Sequence, residues 1–195
     1  MKIEEPYSND WVRKFALAMN EISEGECGIG YTINSERDYV STLRCKLCRR
    51  GEFRVKMSVE SPKDFTFLSE IMKDFGYKLG RIYPDLILHE NHNGKDLSPN
   101  NQHLVCEVKT AKYVDQNSFD KDLIKLNYCV EYLNYRDAAY ILVNSSEETV
   151  NKRLNRYGEL KNYFSHKVKK GSCKIYFLIQ SKLGDNVEIY SIDFN

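Results

Sequence analysis

Hydrophobic spacing divides the chain into alternating helices and strands. Trp11, Phe15, Ala18 and Ile22 recur at helical intervals and predict a helix over 10–22. Glycines at 25, 28 and 30 end it. Gly28-Ile29-Gly30 reads as loop, because no strand precedes it and no third glycine completes a dinucleotide fingerprint. Ser35, with Asp38 three residues on, marks the start of a second helix. Val40, Leu43 and Leu47 form its apolar stripe, and Glu36, one turn before Val40, falls on the same inward face. Phe53, Val55, Met57 and Val59 alternate as a strand. A third helix is expected over 62–75, with Leu68, Ile71, Met72 and Phe75 inward.

Two strands are predicted over 84–90 and 103–109, separated by a polar loop. Phe119, Leu123, Leu126, Val130 and Leu133 predict a helix over 119–134. The continuous apolar run 138–143 has the character of a buried central strand. Ser145 with Glu148 resembles a capping box opening a helix to residue 164, and 173–180 and 187–193 form a hairpin around Gly184-Asp185-Asn186. This order predicts one α/β domain over 1–195, a mixed central sheet flanked by helices. Residues 1–34 are an N-terminal helical extension, 35–143 the core, and 144–195 a C-terminal helix and strand hairpin completing the domain.

Composition adds limits. Lys+Arg total 29 and Asp+Glu 28, so a net charge of +1 advertises no polyanion partner. The segment 152–174 is locally basic, however, and Arg156, Lys169 and Lys170 are candidates for contact with nucleic-acid phosphates. No apolar run approaches the ~20 residues of a membrane span, and the N-terminus lacks the apolar core of a signal peptide. The six cysteines are scattered, which fits reduced thiols better than a disulfide framework. A cytoplasmic protein with no membrane partner is expected.

Charged groups avoid buried strands, so three of them in two neighbouring apolar runs stand out. Asp85 opens the first run after Pro84; Glu107 and Lys109 close the second. Side chains two apart share a strand face. Glu107 and Lys109 therefore point one way, and Leu104, Cys106 and Val108 the other. If the strands pair as a hairpin, Asp85 and Glu107 converge near one end of the sheet. Two carboxylates there suit Mg²⁺, a hard ion that takes oxygen ligands and keeps several waters, with Mn²⁺ as its substitute. The ion would acidify a water and neutralise charge on a scissile phosphate, while Lys109 orients or deprotonates that water.

Pro84-Asp85, followed after a loop by Glu107-Val108-Lys109, resembles the PD-(D/E)xK signature of the restriction-endonuclease-like nuclease superfamily. The superfamily core of helix, three strands, helix and strand is similar to the order over 35–143. The resemblance implies a restriction-endonuclease-like fold and a metal-dependent endonuclease hydrolysing nucleic acid, with DNA the expected substrate. It implies Asp85 and Glu107 as metal ligands, Lys109 as catalytic, and an acid on the first core helix that completes the metal site. Glu36 matches that acid by order and inward face; Glu70, on the helix before Pro84, competes with it. Lys125, on the helix after the motif, is implied as a phosphate contact. A second copy of the chain is an option as partner. The alternative is a catalytically inactive module of this fold that binds nucleic acid or protein. A viral-polymerase-type RNA endonuclease is disfavoured, since 36–50 holds no histidine.

Other signals have ordinary readings. Cys45-x-x-Cys48 has zinc-ligand spacing but no second pair. It reads as two thiols on a helix, one near the core and one near solvent. His89 and His103 are expected at a substrate or at the surface, and Gln116 before the helix. Tyr113, Tyr128, Tyr132 and Tyr135 are expected to be packing residues with wet hydroxyls.

Overall fold

The structure, a computed structural model, describes residues 2–3, 10–26, 36–49, 56–58, 66–77, 84–89, 102–110, 114–154 and 174–193. Five helices are described: α1 (Asp10–Asn20), α2 (Glu36–Arg49), α3 (Thr66–Asp74), α4 (Gln116–Leu133) and α5 (Glu147–Arg153). The strands are β1 (Lys2–Ile3), β2 (Lys56–Ser58), β3 (Leu86–His89), β4 (Gln102–Lys109), β5 (Asp137–Val143), β6 (Lys174–Gln180) and β7 (Glu188–Asp193). They form one sheet in the order β1-β7-β6-β5-β4-β3-β2. Strands β4, β5 and β6 run parallel, and every other pairing is antiparallel. The mixed α/β architecture expected from the residue pattern is therefore observed, and the 138–143 run lies in the middle of the sheet.

Alternation along the strands sorts the core into two layers. Ile87, Val105, Ala138, Tyr140, Leu142 and Phe177 pack with Phe119, Leu123 and Leu126 of α4, and with Leu68 of α3. The other face carries Leu86, Leu88, Leu104, Cys106, Val108 and Ile141, packed against α1 and α2 through Phe15, Met19, Tyr39, Leu43 and Leu47. Helices thus cover both faces, as a sheet with apolar residues on either side requires. Among the described residues no helix is long and apolar enough to cross a membrane.

Local chemistry sets the element ends. Asp115 caps α4, its side chain accepting from the Ser118 backbone N–H, and Asn134 closes the helix in the left-handed region at φ 58°. Ser146 caps α5 by accepting from Thr149. The cap expected at Ser145 is thus displaced by one residue, and Ser145 is buried instead. The β6–β7 hairpin turns with Gly184 at φ 87°, which glycine adopts without steric cost. Strand β1 had no counterpart in the sequence pattern, being only two residues long and defined by its pairing with β7. Gln116 starts α4 rather than preceding it. Its amide donates to Asp120 and to the Arg153 carbonyl, joining α4 to α5.

Phe119 is fully buried and lies against both Tyr140 and Phe177. Phe119→Ala should cost about 3–5 kcal/mol of unfolding free energy, read as a lowered urea midpoint at unchanged slope. A loss near zero would contradict the packing of α4 on the sheet.

Candidate active site

Strands β3 and β4 pair antiparallel, with Leu86 opposite Cys106. Asp85, just before β3, therefore meets the segment around Glu107. Its Oδ2 accepts from the Val108 backbone N–H at 2.8 Å, which fixes the carboxylate at the end of the ladder. Glu107 and Lys109 emerge on the α4 face, opposite Cys106 and Val108, as alternation dictates. The neighbouring strand places Tyr140 beside Glu107 in register.

Three further side chains close on this point. Lys125 of α4 puts its ammonium 2.7 Å from Glu107 Oε2 and 3.3 Å from Asp122 Oδ1. Asp122, one turn earlier on the same helix, also faces Lys109, with its Oδ2 at 3.4 Å. Glu36, in the first turn of α2, reaches Lys109 at 2.9 Å from beyond the sheet end. The result is a chain of alternating charge: Glu36, Lys109, Asp122, Lys125, Glu107. The Tyr140 hydroxyl donates to Asp122 Oδ2 at 3.0 Å from beneath. The chain runs from solvent into the core: the Glu36 side chain is 43% exposed and that of Glu107 only 1%.

Burial governs the proton affinities. The Glu107 carboxyl is pushed well above the ordinary range by desolvation, with Asp122 and Asp85 adding to the rise and Lys125 opposing it. Burial also raises Asp85, against the pull of the Val108 hydrogen bond and of Lys109, and raises Glu36 against the pull of Lys109. For both lysines burial alone would lower the pKa, but surrounding carboxylates outweigh it and hold them above the usual lysine value. For Lys109 these are Asp122, Glu36 and Asp85; for Lys125 they are Glu107, Asp122 and Asp85. A raised Glu107 and a raised Lys125 pull against each other, because an ionised Glu107 is part of what holds the lysine charged. Lys125 keeps Asp122 as a second counter-charge, so it stays an ammonium either way, and Glu107 is the member that titrates. The Tyr140 phenol, raised by burial and then by Asp122, is a neutral donor.

No protein-family model, curated protein or solved structure matches this chain. The site is accordingly defined by its own geometry.

Carboxylate oxygens are the ligand type that a hard divalent ion takes. Four carboxylates (Glu36, Asp85, Glu107, Asp122) face two ammonium groups (Lys109, Lys125), an excess of two negative charges when all are ionised. Glu107 Oε1 is buried and has no hydrogen-bond partner, a costly state for a carboxylate oxygen. Among the described residues no three acidic, histidine or cysteine side chains form a ready cation cage; the two lysines interleave with the acids instead.

Of the sequence candidates, Asp85, Glu107, Lys109 and Glu36 come together here. Glu70 is exposed on α3. Lys125 lies inside the cluster, its side chain only 12% exposed, rather than on a rim facing phosphate. Asp122 and Tyr140 were not singled out, although Asp122 sits at helical spacing between Phe119 and Leu126, on the inward stripe. His89 and His103 are buried rather than at the surface, and the His103 ring lies 5.4 Å from that of Trp11. Both Cys45 and Cys48 are exposed, so neither lies near the core. Tyr128 and Tyr135 are buried packing residues, as expected, but the Tyr135 hydroxyl is buried rather than wet. Arg156, Lys169, Lys170 and Tyr113 lie outside the described residues.

A carboxyl with a raised folded pKa binds its proton more tightly in the native state. Its stabilisation is complete below the unfolded value, here 4.5, and is lost as pH rises toward the folded value. Glu107→Gln should therefore flatten the decline of unfolding free energy as pH rises above 4.5, a decline limited to about 1.4 kcal/mol per pH unit for one proton. Urea titrations at several pH values measure it. An identical slope in the variant would mean that Glu107 is ionised throughout.

Proposed function

We propose that this chain is a divalent-cation-dependent nuclease, a phosphodiester hydrolase with a restriction-endonuclease-like core, acting on nucleic acid and most plausibly on DNA. The observation that carries the reading is the buried Glu107 carboxylate with its unpartnered Oε1, set beside Asp85 in a cluster with excess negative charge. The order α2, β2, β3, β4, α4, β5 supports it, with β3 and β4 antiparallel and β4 and β5 parallel. Helix α3 is then an insertion between β2 and β3.

Asp85 and Glu107 would hold Mg²⁺, or Mn²⁺ in its place, with Glu36 supporting from α2. When bound, such an ion supplies Lewis-acid polarisation of the phosphate and acidification of water. Everything else falls to side chains of this chain. Asp85 is held rigid by the Val108 N–H, so its carboxylate needs no reorganisation. Lys109 stays an ammonium at neutral pH under the carboxylates around it, and it can orient a water and offset charge developing on the phosphoryl oxygens. Glu36, half exposed at the sheet end, marks the side from which a phosphodiester would enter. Residues Arg156, Lys169 and Lys170 extend the reading to a phosphate track in the basic 152–174 segment.

A second reading is favoured by one contact. Lys125 stands 2.7 Å from Glu107, a cation already seated against the buried acid. A module sealed in this way would bind nucleic acid or protein without cutting.

Calorimetry with Mn²⁺ and a cleavage panel of linear, circular, single-stranded, branched and RNA substrates separate the two readings. The wild type should bind Mn²⁺ and cleave. Asp85→Ala should weaken Mn²⁺ binding at least about tenfold, as loss of an oriented ligand does. Lys109→Ala should keep Mn²⁺ binding and lose about 10²–10⁴ in rate. A wild type that binds no Mn²⁺ and cuts nothing leaves the sealed module.

A further inference from the structure

We infer that Asp122 is a positioning residue, the shared carboxylate that keeps Lys109 and Lys125 in the site once a divalent cation has taken Glu36 and Glu107 from them. The inference depends on the metal-dependent reading above and names the part of the site that does not contact the ion.

Each lysine has one close acid: Glu36 at 2.9 Å for Lys109 and Glu107 at 2.7 Å for Lys125. Each also has Asp122 at longer range, 3.4 Å and 3.3 Å, through different oxygens of the one carboxylate. The close partners are the acids a cation would claim. An ammonium carries three donors and no acceptor, so a lysine released from one acid can close on another without leaving the site. Asp122 is the acid both can close on. With each oxygen committed to a lysine, it is poorly placed to join the ion's ligands.

Asp122 is also held where this role requires. It is buried on the inward face of α4, between core residues Phe119 and Leu126. Tyr140, directly beside Glu107 across the β4–β5 pairing, donates its hydroxyl to Oδ2 at 3.0 Å. That donor comes from the sheet, so it stays in place when the lysines shift. Without the Asp122 charge, the two ammonium groups would keep only carboxylates shared with the ion as counter-charge, and Lys109 would be held less firmly beside the water it serves.

Asp122→Asn keeps the size and an acceptor for Tyr140, removes the charge and turns the oxygen facing Lys125 into a donor. In the full-length protein it should bind Mn²⁺ within about threefold of wild type by calorimetry. Its kcat on the preferred substrate of the panel should fall about 10²-fold with KM unchanged, the size of effect expected from a displaced catalytic group. The Nζ NMR signals of Lys109 and Lys125 should persist in wild type on adding Mg²⁺ and vanish in the variant. Tyr140→Phe leaves every charge in place and only frees the Asp122 carboxylate, so it tests the same role if Asp122→Asn fails to fold. It should lose about tenfold in kcat at unaltered Mn²⁺ affinity. An unchanged kcat in whichever variant folds overturns the positioning role. So does a joint loss of Mn²⁺ affinity and kcat in Asp122→Asn, which would make Asp122 a ligand. A wild type that neither binds Mn²⁺ nor cleaves instead removes the nuclease reading, and this inference with it.

Discussion

The contact between Lys125 and Glu107 is the one the rest of the site depends on. Glu107 sits on a central strand with 1% of its side chain exposed, and an uncompensated carboxylate there would cost several kcal/mol. Lys125 reaches it from α4 at 2.7 Å, with α4 packed over β4 in this register. That register also delivers Asp122 to Lys109, and it sets Phe119 on Tyr140 and Phe177. One ion pair and one aromatic contact thus fix the same helix placement from two sides of its inward stripe. A buried pair adds little net stability over apolar residues of equal size. Its consequence lies in where it forces the helix to sit.

Strand β4 divides the labour. Its Leu104, Cys106 and Val108 face α1 and α2 in a mainly apolar layer, while Glu107 and Lys109 face α4. The charged groups lie toward the strand's C-terminal end, where Glu36 from α2 can reach Lys109 past the last residues of the sheet. The ion-pair cluster thereby lies at one end of one layer. Much of the rest of that layer, from Val105 to Tyr190, is hydrophobic. Asp85 belongs to both parts, since its bond to the Val108 N–H ends the β3–β4 ladder and aims the carboxylate at the cluster.

Much of this arrangement was legible in the residue pattern. Period-two and period-3.6 spacing located the helices and the longer strands, because burial on one face writes itself directly into such spacing. Asp85, Glu107 and Lys109 were conspicuous as charges inside apolar runs. Asp122 was not, because an acid on a helix normally marks the solvated face. Its spacing from Phe119 and Leu126 placed it inward, but that conflict resolves only when Tyr140 and the two lysines are seen around it. The depth of Lys125 was hidden for a related reason: spacing gives a helix face, and the depth of a flexible side chain is decided by tertiary packing. The burial of His103 beside Trp11 joins residues about ninety positions apart, which no local pattern encodes. Strand β1 exists only through its partner.

At many other described positions local preference and tertiary position agree: caps at Asp115 and Ser146, a left-handed Asn134, a glycine in the β6–β7 turn, and apolar faces packed on apolar faces. The cluster around Glu107 breaks that agreement, with four carboxylates, two lysines and a phenol where aliphatic side chains would pack at lower cost. Sequences tolerate such a breach mainly where function requires it. The breach here is also patterned. Charges alternate along the chain, so each lysine lies between two acids, and the buried end retains an oxygen without a partner. A purely structural ion network would be expected to satisfy its deepest member first. Leaving that member half satisfied is consistent with the proposed cation site, and the support comes from the packing around Glu107 rather than from the motif alone.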